Sequence, residues 1–91
     1  MADPLVHTVL NDALMRLFTD APQRLDINAR TVTDLIDGLE ARYPGMGHCL
    51  RDSQPAIRRH INIFVRGERA ELATPLDGSE PVYIFTAISG G

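Results

Sequence analysis

The chain ends in Ser89-Gly90-Gly91, and the group with the plainest capacity for chemistry is the carboxylate of Gly91. With a pKa of about 3.5, such a carboxylate is ionised at neutral pH and a poor electrophile until ATP converts it to an acyl adenylate. That step requires a separate enzyme. To reach that enzyme's active site the tail must thread a narrow channel. Residues without side chains minimise its cross-section and leave the carbonyl open to attack. At an average glycine usage of about 7%, two terminal glycines arise by chance in about 0.5% of chains, so chance is a poor source for them. A cloning linker is the other mundane source of such an ending. The physical reading is a flexible tail over residues 89–91 on a body spanning 1–88, offered to other proteins as a group carrier offers its cargo. The carrier itself then needs no catalytic residue and no permanently bound cofactor, and the ATP is used by the activating enzyme.

Other reactive side chains give weaker patterns. Cys49 follows His48 and is the single cysteine, so it can form no intramolecular disulfide and no multi-thiolate zinc site. A lone cysteine is most often a small buried hydrophobe rather than an activated thiol. His7 and His60 fall in separate predicted strands and imply no metal site. Arg58, Arg59, Arg66 and Arg69 cluster around the third predicted strand, where they either meet an acidic partner surface or are simply solvated. All nine basic residues are arginine, which excludes a lysine nucleophile or Schiff-base enzyme.

The elements that must position the tail can be read from periodicity. Leu5 to Leu17 reads as a strand leading through Asn11-Asp12 toward Leu14, Leu17 and Phe18. After the turn residues Thr19-Asp20-Ala21-Pro22, Arg24-Leu25-Asp26-Ile27 alternates as a half-buried strand, so an N-terminal hairpin is expected. Val32, Leu35, Ile36, Leu39 and Tyr43 share one face of a helix, with Thr31 and Asp34 as a capping box, or Thr33 as the cap, and Pro44-Gly45 as the stop. Gly38 costs that helix about 1 kcal/mol relative to alanine, unless it permits a close approach. Residues 46–58 read as loop with room for one helical turn. His60 to Val65 alternates cleanly, with Ile61, Ile63 and Val65 on one face and Asn62 and Phe64 on the other, before an Arg66-Gly67 turn. A short strand follows, then the Asp77-Gly78-Ser79 turn. Val82 to Ile88 is apolar almost throughout and reads as a central strand covered on both faces. The pattern fits an α+β fold in which a mixed sheet of four to five strands packs on one main helix.

Composition narrows the class further. A length of 91 residues fits one small domain. The net charge of −3 gives no basic footprint for nucleic acid. No apolar run approaches the roughly 18 residues of a membrane span, and Met1-Ala2-Asp3-Pro4 lacks the regions of a signal peptide. With one cysteine, a cytoplasmic carrier that is a monomer or weak dimer when alone is expected.

Taken in order, these segments resemble the sulfur-carrier family of ubiquitin-like β-grasp proteins typified by MoaD and ThiS. The resemblance rests on Thr33-Asp34-Leu35-Ile36-Asp37-Gly38-Leu39-Glu40-Ala41-Arg42-Tyr43-Pro44, on Ile61-Asn62-Ile63-Phe64-Val65 with Arg66-Gly67, and on Thr74-Pro75-Leu76-Asp77-Gly78 before Ile88-Ser89-Gly90-Gly91. The segment from Leu50 to Arg59 resembles the branch of standalone carriers serving amino-acid or natural-product pathways. Many members carry proline before the terminal motif, where this chain has Phe85-Thr86-Ala87, and Ser79-Glu80-Pro81 stands at the usual acidic turn. The resemblance implies adenylation of Gly91 by a ubiquitin-activating-type enzyme. Sulfide or a persulfide donor would then displace AMP to give a thiocarboxylate, and a downstream synthase would accept the sulfur. Gly90 and Ser89 would be read by the partners, and Arg58, Arg59, Phe64, Arg66 and Phe85 are candidates for docking them. A covalent protein modifier, a small subunit of molybdopterin synthase and a non-covalent binding module are the competing readings. A modifier would leave Gly91-linked adducts, the synthase subunit would co-purify with a pterin-binding partner, and a module would tolerate an added C-terminal residue.

Overall fold

Five short strands, whose successive side chains point to opposite faces, form a mixed sheet: β1 (Leu5–Leu10), β2 (Arg24–Asn28), β3 (Ile61–Val65), β4 (Glu68–Arg69) and β5 (Val82–Thr86). Helices α1 (Asp12–Leu17), α2 (Val32–Arg42) and α3 (Met46–Leu50) lie between them. This computed structural model describes residues 3–51 and 56–86. The strand order is β2-β1-β5-β3-β4. β1 pairs antiparallel with β2 and parallel with β5, so the last strand lies at the centre, flanked on its other side by antiparallel β3.

One face of the sheet carries the core. Val6 and Leu10 of β1, Ile27 of β2, Ile61 and Ile63 of β3, and Val82 and Ile84 of β5 pack against Val32, Leu35, Ile36 and Leu39 of α2. The helical face read from periodicity is thus the buried one. Thr31 is its cap: its Oγ1 accepts the Asp34 N–H at 3.2 Å, while Asp34 accepts the Arg30 N–H. Thr33 is not the cap; its hydroxyl donates to the Leu72 carbonyl at 3.0 Å. The Val32 N–H donates to the Thr74 carbonyl and the Leu76 N–H to the Arg30 carbonyl, so Thr74-Pro75-Leu76 ties the chain before β5 to the start of α2. Gly78, at φ +79°, lets the following turn press on β1, since a Cβ there would stand 2.7 Å from the Leu5 carbonyl oxygen.

The N-terminal pairing is as expected, but the strand stops at Leu10. Asn11 caps a short helix by accepting the Leu14 N–H, and Leu14 is buried. A strong cap followed by Asp12 in the first turn outweighs continuation of the strand. The helical turn allowed within residues 46–58 is α3, and Arg51 bridges to Ile57. Ser53 and Pro55, the 87–88 end of the expected last strand, and the expected tail at 89–91 lie outside the described residues. β5 is central, as read, but not covered on both faces. Tyr83 is 42% and Phe85 37% exposed, because α2 covers the other side and aromatic residues also suit a half-open sheet surface.

Two contacts join the helices to their neighbours. Gly38 marks a close approach, because a Cβ there would lie 2.6 Å from the Cγ2 of buried Ile27 on β2. The Glu40 carboxylate reaches beyond the end of α2 and accepts the Gly45 N–H at 3.0 Å and the Gly47 N–H at 2.9 Å, capping α3 from α2. The Gly45 N–H foremost holds the Glu40 pKa below the ordinary glutamate value; the Gly47 and His48 N–H groups and the Arg51 charge add to it, against a contribution from burial.

Gly38→Ala is expected to destabilise the protein by about 1–2 kcal/mol in urea titrations, since the gain in helix propensity is smaller than the overpacking against a stiff β-branched side chain. Glu40→Gln is expected to be destabilising at neutral pH. The lowered folded-state pKa means that the carboxylate stabilises the fold above its unfolded-state pKa and loses that contribution as pH falls through the folded-state one. The deficit should therefore close in urea titrations on acidification; a deficit of constant size would show that charge plays no part.

Candidate functional site

The residues nearest the tail in sequence are those of β5, and its last described residue, Thr86, is held on both sides. Toward β3 it stands opposite Ile61. Toward β1, the backbone ladder ends where the Asn11 N–H donates to the Ile84 carbonyl at 3.2 Å. There the Asn11 side chain takes over: its Nδ2 donates to the Thr86 carbonyl at 3.2 Å and its Oδ1 accepts the Thr86 N–H at 3.3 Å. The same Oδ1 accepts the Leu14 N–H at 3.2 Å.

The open face of the sheet carries the other candidate surface. Cross-strand neighbours point to the same side, and one row crosses every strand: Arg24, Val9, Tyr83, Phe64 and Arg69. Phe85 sits in the next row beside Asn62. Its ring meets Phe64 edge-to-face at 5.9 Å and stacks on Tyr83 at 6.2 Å. The result is an aromatic centre between two arginines at the sheet edges. On the Tyr83 side, the side chains of His7 and Asp26 form a cross-strand hydrogen bond.

The arginines divide. Arg66 occupies the tight turn after β3, pairing with Asp77 at 3.9 Å and donating to the Pro75 carbonyl at 3.4 Å. Ser79 holds the Asp77 pKa low, chiefly through its hydroxyl. Arg58 donates from Nε to the His48 carbonyl at 2.7 Å, and with Arg59 and Arg69 it lines a groove of about 940 Å³ floored by Ile57, Ile61 and Leu72. Of the sequence candidates, Phe64 and Phe85 are therefore brought together, Arg58 and Arg59 stand together in the groove, and Arg66 is apart at the turn. Cys49 is half-buried, and burial pushes its thiol pKa up, with the Arg58 charge opposing. Such a thiol is protonated at neutral pH, the opposite of an activated nucleophile. Gly91, Gly90 and Ser89 lie outside the described residues.

The model of the ThiS family matches residues 9–91, a span that includes both terminal glycines. The chain belongs to the ThiS family. Within that family it is similar to the Haloferax volcanii small archaeal modifier protein 3, at 33% identity over 75% of this chain and 76% of that one. It is likewise similar to the sulfur carrier protein CysO of Mycobacterium tuberculosis, at 31% identity over 92% of this chain and 97% of that one. The crystal structure of that CysO superposes with a TM-score of 0.77 at 28% identity, covering 91% of this chain and 99% of the other. The fold alone is shared with the Amycolatopsis orientalis BexX/CysO complex, at a TM-score of 0.80 and 23% identity over 94% and 99% of the two chains. The architecture is the ubiquitin-like β-grasp, and ThiS-family members are small carriers rather than catalysts. Among the described residues, no helix is long and apolar enough to cross a membrane.

Sequence reasoning missed two residues of this candidate site in the ThiS-family chain. Tyr83 alternates with buried Val82 and Ile84, so its outward position was available from the period of the strand. Asn11 stands directly before Asp12-Ala13-Leu14, a helix-start signal, but its partner lies 75 residues away and leaves no local trace. If the aromatic centre is a surface rather than core, Phe85→Ala should cost about 1 kcal/mol, the worth of its ring contacts, whereas Ile84→Ala should cost about 3 kcal/mol. Equal losses in urea titrations would place Phe85 among the core residues.

Proposed function

We propose that this chain is a cytoplasmic sulfur carrier whose working group is the Gly91 carboxylate. The observation that carries the reading is the family match through Gly90 and Gly91, with the CysO relatives, themselves sulfur carriers, alongside it. In the form that ends at Gly91, a carboxylate oxygen attacks the α-phosphorus of ATP in an adenylating enzyme and releases pyrophosphate. Hydrosulfide then attacks the carbonyl carbon, and AMP leaves with that oxygen. The thiocarboxylate left on Gly91 delivers its sulfur to a downstream synthase. The carrier binds no cofactor of its own, and Gly90 and Ser89 are the residues its partners read. The Amycolatopsis orientalis complex joins a CysO to BexX, and a partner enzyme is proposed here by analogy. The exposed Tyr83 and Phe85 rings and the half-buried Phe64 ring, rimmed by Arg24 and Arg69, suit a partner with an apolar centre and an acidic rim. Arg58 and Arg59, in their own groove, and Arg66, at the turn after β3, are further docking candidates away from that centre.

A second reading is favoured by the relative named as a modifier: transfer of Gly91 to an amine of another protein. The chemistry is shared up to the adenylate, and the acceptor decides. With no lysine in the chain, linkage to its own side-chain amines is excluded.

The test is intact-protein mass spectrometry on Cys49→Ser, co-expressed with the adenylating enzyme and a sulfide source, before and after a thiol alkylator. Oxidation of a methionine adds nearly the mass of an oxygen-to-sulfur exchange, so the expected species is one that alkylates and maps to Gly91. A Phe85→Ser change in the same chain should lower its yield severalfold. Amide adducts through Gly91 in place of the alkylatable species would favour the modifier. Neither product, with the enzyme active on another carrier, would leave a non-covalent module.

A further inference from the structure

The hydrogen bonds at the last described turn of the sheet give Asn11 a role that packing alone does not require. On the β1 side of β5, Ile84 is still paired, opposite Leu10 and accepting the Asn11 N–H, but the peptide groups of Thr86 face a strand that has already ended, since the chain turns into α1 after Asn11. A flanking strand would supply one more carbonyl and one more N–H. The Asn11 carboxamide supplies both, accepting the Thr86 N–H and donating to the Thr86 carbonyl, and so extends the parallel ladder by one residue with a side chain. Its Oδ1 is at the same time the cap of α1, so the carboxamide is anchored to a helix whose Leu14 is buried. Few side chains can do all three. Aspartate can cap and can accept the Thr86 N–H, but it has no donor for the Thr86 carbonyl. Serine can cap but is too short to span both Thr86 groups.

We propose that Asn11 is a positioning residue for the carrier reaction: it sets the point and direction in which the chain leaves β5 at Thr86, and thereby where Gly91 is delivered in a partner's active site. This rests on the reading of Gly91 as the activated group. Only five residues separate Thr86 from the C-terminus of this chain, a reach of at most about 18 Å. A displacement of Thr86 therefore moves the whole volume that Gly91 can reach. Misplacement of a reacting group by about 1 Å costs up to about a hundredfold in rate, whereas the aromatic face, whose described side chains make no hydrogen bond with Asn11, is left in place for docking.

The experiment compares the native full-length chain with Asn11→Asp and Asn11→Ser in adenylation by an enzyme proven on its own carrier, read as pyrophosphate release, alongside amide hydrogen exchange at Thr86. Both variants keep a helix cap, so melting temperatures should stay within a few degrees of native. The expected result is an unchanged KM and a kcat lowered about tenfold in Asn11→Asp and at least as much in Asn11→Ser, with faster Thr86 exchange in both. Native kcat in either folded variant, or a loss confined to KM, overturns the proposal. So does a Thr86 amide in the native protein that exchanges as fast as in an unstructured chain, a result that needs no variant to fold. Failure of the native chain to be adenylated would instead overturn the reading of Gly91 on which the proposal rests.

Discussion

The arrangement depends on the pairing of β5 between β1 and β3. β1 and β5 run parallel with Thr8 opposite Val82 and Leu10 opposite Ile84, which brings opposite ends of the chain into the middle of one sheet. Parallel neighbours need a long crossover, and everything between them, from α1 and β2 through α2, α3, β3 and β4, must be accommodated on one face or to either side of the pair. α2 takes the covered face, and its buried residues meet the inward residues of β1, β2, β3 and β5. Because that single main helix covers one side, the outward residues of the central strands face away from the core. The aromatic surface and the position of Thr86 are therefore two results of one topology.

Polar side chains finish what the short elements leave open. α1 and α3 are six and five residues long, and helices of that length do not stand alone in water. Each is held by a group that also serves another element: Asn11 caps α1 while holding Thr86, and Glu40 of α2 caps α3 through Gly45 and Gly47. Such sharing couples neighbouring pieces of a small domain without enlarging its core. It also makes the shared groups sensitive positions, since one substitution disturbs two elements.

Much of this was legible in the residue pattern, for definite reasons. α2 could be read because Val32, Leu35, Ile36 and Leu39 repeat at helical spacing, and β3 because Ile61, Ile63 and Val65 alternate with less buried neighbours. α1 was not, because six residues hold too few periods to separate a helix from a strand. The openness of β5 on one side was not, because Tyr83 and Phe85 are apolar whether covered or exposed; apolar character alone does not name the side a helix will occupy. At the candidate site, the two adjacent glycines and the residue types of Phe64 and Phe85 drew attention in the sequence, and the structure brings those two rings together. The Asn11–Thr86 contact was invisible because it spans 75 residues and depends on a sheet order that no local pattern records.

The central place of β5 also bears on how the molecule is made. Synthesis runs from the N-terminus, so β1, β2, α2 and β3 emerge while the slot between β1 and β3 is still empty. During that interval the newborn chain presents two unpaired strand edges, a state prone to pairing with other chains. The strand that closes the slot is also the one that leads to the glycines, so the exposed edges are sealed only as the ribosome delivers the segment bearing Gly90 and Gly91. A nascent chain stalled short of Val82 is thus both unable to seal its sheet and without the two glycines that the proposed carrier role needs, so stickiness and incompetence would end together.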